Sequence, residues 1–168
     1  MKTVLVLAMH GAPPNDFSRN ELAELMSLHN RLEHATSAEQ AALQSRYAEL
    51  ESRVRTWPRT AKNDPFYAGS VALAEQLEAA SGFPTTVGFN EFCAPSLDDA
   101  LDQAASSAER VLVITPMMTR GGEHSEHDIP ASIRRVQEHH PEVMIQYVWP
   151  FELPAVARFL AEQLEPYR

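Results

Sequence analysis

The stretch Val111-Leu-Val-Ile-Thr-Pro-Met-Met-Thr-Arg-Gly-Gly-Glu-His-Ser-Glu-His-Asp-Ile-Pro130 decides the fold. Its first five residues are apolar or β-branched, the composition of a strand buried on both faces. A double glycine, Gly121-Gly122, then breaks the chain, and Asp128-Ile-Pro130 has the form of a helix start, with Asp128 as the expected N-cap and proline in the first turn. A strand that ends in a ligand-rich loop before a helix is how an α/β protein displays residues at the carboxyl edge of a parallel sheet. The loop carries His124 and His127 with Glu123, Glu126 and Asp128. Imidazole and carboxylate together suit a borderline divalent cation.

Working outward, Val4 to Met9 is a second buried-strand pattern, closed by Gly11, Pro13 and Pro14, with His10 at its carboxyl end. Thr85 to Phe92, after Gly82-Phe83-Pro84, reads as another strand with Glu91 near its end, and Val143 to Trp149 as a fourth. Between them, helical spacing of apolar residues predicts helices from Arg19 to about Leu32 and Ser37 to Val54, a hairpin closed by Trp57-Pro58. Further helices are expected from Pro65 to Ala80, after Ser96, from Pro130 to His139, and from Leu153 to Gln163. The alternation predicts one α/β domain over residues 1–168, with a mainly parallel four-stranded sheet between helical layers and a helical insertion at about 15–57.

Composition bounds the function. The chain has 168 residues, 44% of them hydrophobic, enough for one core. Its net charge of −9 argues against nucleic acid as a partner, since binding phosphates demands a basic face. The lone Cys93 excludes an intrachain disulfide and fits a reducing cytoplasmic location. The apolar start, Met1 to Met9, runs directly into His10-Gly11 and reads as a strand rather than a signal peptide. No apolar run approaches the ~20 residues of a membrane span.

In a parallel sheet, His10, Glu91 and His124 emerge from the same edge. Alone, His10 could be a strand-end histidine bonded to a carbonyl, and Glu91 a solvated acid. His124 is preferred over His127 because it directly follows the glycines, where backbone can approach a ligand; His127 reads as solvent-facing. Gly121 and Gly122 could form a nest of amides for an anion, with Arg120 beside it and Arg59 and Lys62 as further cations. Met117 and Met118 could meet an apolar ligand face or pack on the core.

The His10-Gly11 turn, the stretch Gly88-Phe-Asn-Glu-Phe-Cys-Ala-Pro-Ser-Leu-Asp-Asp-Ala-Leu101 and the loop Gly122-Glu-His124 followed by Asp128-Ile-Pro130 resemble the class II chelatases of the CbiX type. That resemblance implies insertion of cobalt or iron into sirohydrochlorin, in cobalamin or siroheme biosynthesis. It further implies His10 and His124 as metal ligands and proton acceptors and Glu91 as a third ligand; a bound ring's carboxylates would then need Arg120 and the Gly121 and Gly122 amides, and its apolar face Met117 or Met118. Such a ligand set suits Co²⁺, Fe²⁺, Ni²⁺ or Zn²⁺ as the metal substrate, leaves coordination positions open, and needs no organic cofactor. An imidazole's ordinary pKa near 6.5 lets it accept a proton at neutral pH. The chain departs from short members at Ala12-Pro13, where Ser-Arg is expected, and in its hairpin, which resembles insertions of the longer protoporphyrin ferrochelatases. Other readings are a non-catalytic metal carrier or sensor on the same fold, and a phosphoryl-accepting His10, weakened because no arginine precedes it. A single unit of this size is also expected to form a homodimer.

Overall fold

The computed structural model describes residues 1–32 and 35–168. Four strands, β1 (Thr3–Met9), β2 (Thr85–Phe89), β3 (Arg110–Ile114) and β4 (Met144–Tyr147), form one sheet in the order β2-β1-β3-β4. Every pairing is parallel, with Met9 opposite Phe89 and Leu7 opposite Ile114. The helices are α1 (Arg19–Leu32), α2 (Ser37–Arg55), α3 (Pro65–Ser81), α4 (Leu97–Ala105), α5 (Ile129–His139) and α6 (Leu153–Glu162). The expected hairpin is thus α1 and α2; residues 33–34 between them lie outside the described residues. Among the described residues, no helix is long and apolar enough to cross a membrane.

The period-two alternation of β1 divides the core. Val6 and Ala8 join Val111 and Val113 under α4 and α5, whereas Leu7 and Met9 face the other way, against Ala74 of α3 and Phe89. Leu25, Leu28, Leu50 and Val54 bind α1 to α2 in a third cluster, which reaches Phe17, Trp57 and Phe92. A fully buried leucine or valine is worth about 1.5–3 kcal/mol. Exposed pairs such as Arg46–Glu24 contribute at most about 1 kcal/mol, so packing holds the hairpin together.

Two expectations need correction. β2 ends at Phe89, short of the expected Phe92, because only the amides of Asn90 and Glu91 continue the pairing before the chain turns at Phe92, whose φ is +57°. Asp128 does not cap α5: it is itself in helical conformation and closes a π-helical turn, His124–Asp128, that runs straight into α5.

Candidate metal centre

β1 delivers His10 to the carboxyl edge of the sheet. The pairing with β2 runs two residues past the strand: the Asn90 amide donates to the Met9 carbonyl, and the Glu91 amide to the His10 carbonyl, both at 2.9 Å. This extension sets Glu91 beside His10. It requires Gly11, whose φ is +100° and on which a Cβ would stand 1.9 Å from the Glu91 carbonyl oxygen. Any side chain at residue 11 would push the two strand ends apart.

His124 arrives from the neighbouring strand. The His10 and His124 rings lie 4.4 Å apart between centroids, tilted by 37°. His10 Nδ1 is 3.8 Å from Glu91 Oε2. One donor atom from each of His10, Glu91 and His124 lies within 4.8 Å of the others, so three residues distant in sequence could hold one cation. The side chains of His10 and Glu91 are 48% and 43% exposed, and that of His124 20%. Half-open ligands of this kind permit exchange, unlike a closed structural site.

The π turn orients His124. Its Nδ1 stands 2.5 Å from Asp128 Oδ2, four residues on; a carboxylate can only accept, so the contact suits a ring that carries its proton on Nδ1, a tautomer that would leave Nε2 for a metal. Such turns recur at functional sites. The tip is pinned from β4 and beyond: the Tyr147 hydroxyl donates to the Ser125 carbonyl and Trp149 Nε1 to the Met117 carbonyl. His127 is exposed.

The other sequence candidates fall elsewhere. Gly121 and Gly122 are exposed, but the Gly121 amide donates to Glu126 at 2.9 Å, so an internal carboxylate occupies the expected anion nest. Arg120 also pairs with Glu126 and holds that carboxyl below the usual range, with the Gly121 amide adding to the effect. Arg120 lies over the Trp149 ring at 5.5 Å. Met117 is half-buried against the core. Arg59 is not available to an anionic ligand. Its side chain is 6% exposed, paired with buried Asp64, and donates to the carbonyls of Ala12, Val54 and Phe92. Lys62 is exposed.

A cleft of ≈ 580 Å³ opens beside Glu91 and Asp128. The hairpin forms one wall through Leu25, Met26, Tyr47 and Arg55, and α4 and α5 form the other through Leu97 and Arg135. Asp98 at the mouth is bonded by Arg135. Burial opposes ionisation of Asp98, but bonds from Arg135 and Ser132 outweigh it and hold the carboxyl below its usual range.

The CbiX family model matches residues 61–166. The sirohydrochlorin cobaltochelatase of Methanopyrus kandleri is 37% identical over 59 residues, 34% of this chain and 41% of that protein. The sirohydrochlorin ferrochelatase of Priestia megaterium is 29% identical over 83 residues, 49% of this chain and 31% of that protein. The chain thus aligns with less than half the length of either relative. Among solved structures, a cobalamin (vitamin B12) biosynthesis CbiX protein from Marinobacter aquaeolei VT8 is 19% identical with a TM-score of 0.47, covering 98% of each chain. The sirohydrochlorin chelatase SirB from Bacillus subtilis subspecies spizizenii, in complex with cobalt, is 15% identical with a TM-score of 0.43, covering 89% of this chain and 44% of that one.

Proposed function

The chain belongs to the CbiX family, and from that premise we propose that it inserts Co²⁺ or Fe²⁺ into sirohydrochlorin at His10, Glu91 and His124. The observation that carries this reading is the convergence of those three donors at one sheet edge, beside a cleft. Insertion exchanges one divalent cation for the protons of two pyrrole N–H groups, so the site must bind a metal, release it and accept protons. Three ligands leave open positions for the incoming ring nitrogens. Nε2 of His124, with Nδ1 held by Asp128, joins His10 and Glu91 on the metal, and half-exposed His10 passes protons to solvent once the metal has moved to the ring. The ring's apolar face would lie on Tyr47, Leu97 and Met26, its carboxylates towards Arg55 and Arg135, with Arg120, Gly122 and Met117 at the rim near His124. We place this reaction in the cytosol, in a homodimer.

Measured with sirohydrochlorin and Co²⁺, His10→Ala and His124→Ala should each lower kcat/KM by about 100-fold or more, in the range reported for loss of proton-transfer groups. Full activity in both variants would remove the site from the account.

A second reading has an observation of its own. Glu51, Glu91, Asp98, Asp99 and Asp128 line the cleft against Arg55 and Arg135. That excess of acid favours a cation, or a ring with few carboxylates, over a carboxylate-rich one. It supports a metal carrier, or a protoporphyrin-type ferrochelatase, as the competitor.

A further inference from the structure

Glu91 stands on irregular backbone between β2 and α4, where carbonyls lack ladder partners. Arginines from the end of the hairpin and the loop after it take three of them. Arg55 Nη2 donates to the Asn90 carbonyl at 3.1 Å and Nη1 to the Cys93 carbonyl at 3.0 Å, so one guanidinium grips the chain on both sides of Glu91. Arg59 adds a bond to the Phe92 carbonyl at 2.5 Å. Glu51, one turn earlier in α2, holds the other edge of Arg55 at 3.1 and 3.0 Å. The Arg55 side chain is 20% exposed, so water competes weakly for these bonds. Phe92, at its left-handed φ of +57°, packs its ring on the Leu50 and Val54 cluster of the hairpin. Backbone and side chain of the Glu91 stretch are therefore both held from α2 and the residues that follow it.

We infer that the α1–α2 hairpin is a working part of the metal centre, with Arg55 a positioning residue that fixes where the Glu91 carboxylate stands. The family match begins at residue 61, so the role falls to residues outside it. The inference rests on the reading of His10, Glu91 and His124 as the metal site. Arg55 also lines the cleft. A ligand seated there meets the same guanidinium that sets the metal's carboxylate, which couples the two binding events.

The test uses the full chain and Co²⁺ alone, with affinity from calorimetry and geometry from the visible spectrum of bound Co²⁺. Arg55→Ala should lower affinity about 10-fold and alter the spectrum, as loss of an outer-shell partner does. Arg55→Lys should recover part of the loss, because an ammonium keeps the charge but cannot span both carbonyls. In a Glu91→Ala background, Arg55→Ala should add less than about 2-fold, since the arginine acts through that carboxylate. Arg53→Ala, which breaks the Arg53–Glu21 surface pair, should leave affinity unchanged. Wild-type affinity and spectrum in Arg55→Ala, or an equal loss with and without Glu91, would overturn the inference. If Arg55→Ala does not fold, Arg55→Lys carries the same comparison. Failure of the wild-type chain to bind Co²⁺ would instead reject the metal site, and the inference with it.

Discussion

His124 has two ring nitrogens and a different task for each. Asp128 Oδ2 accepts a hydrogen bond from Nδ1 at 2.5 Å, and in the proposed site Nε2 is left to the metal. Asp128→Asn keeps the shape but replaces a charged acceptor with an amide, so Co²⁺ affinity should fall about 10- to 100-fold with the fold intact; calorimetric titration of a thermally normal variant with undiminished affinity would contradict the assignment. The signal for this pair was present in the sequence as an i, i+4 spacing, but a position before Ile-Pro reads more readily as a cap. The meeting of His10, Glu91 and His124 was legible because a parallel sheet brings its strand ends to one edge, a property of topology that needs no side-chain detail. Arg59 was not legible. Its charge suggested a ligand contact, and only the fold shows that it is spent on buried Asp64 and three carbonyls.

Among the elements, alternation of buried strands with amphipathic helices was enough to place four strands and six helices within a few residues. The π turn was not foreseeable from pattern. Five residues carry too little periodicity to separate it from a loop, and its stability comes from the local His124–Asp128 bond together with a tertiary bond from the Tyr147 hydroxyl to the Ser125 carbonyl. The hairpin itself was readable from Leu43, Tyr47, Leu50 and Val54, but its purpose was not. Arg55 reaches carbonyls 35 and 38 residues away, a relation set by how α2 lies against the loop and by nothing in α2 alone. Glu126 in the glycine nest is a similar case: a carboxylate near two glycines looks like a neighbour of an anion site and turns out to occupy it.

For the whole molecule, surface area is the telling quantity. A compact monomer of 18.8 kDa exposes roughly 8,300 Å², whereas this chain exposes 10178 Å². The excess, roughly 1,900 Å², is of the size one subunit gives up in an obligate interface. Among the described residues α6 buries none of its own and presents Leu153, Phe159 and Leu160, and edge strand β4 presents Met144. A second copy could cover both in a twofold arrangement. Sedimentation at micromolar concentration should therefore show a dimer, and Phe159→Asp with Leu160→Asp should give monomer; a wild-type chain found only as monomer would exclude this assembly. The proposed chemistry stands or falls on one panel: Co²⁺ and Fe²⁺ each offered to sirohydrochlorin and to protoporphyrin, with metallation followed by the Soret band. The account predicts catalysed metallation of sirohydrochlorin above the protein-free rate. Tight Co²⁺ binding with no metallation of sirohydrochlorin by either ion would contradict it.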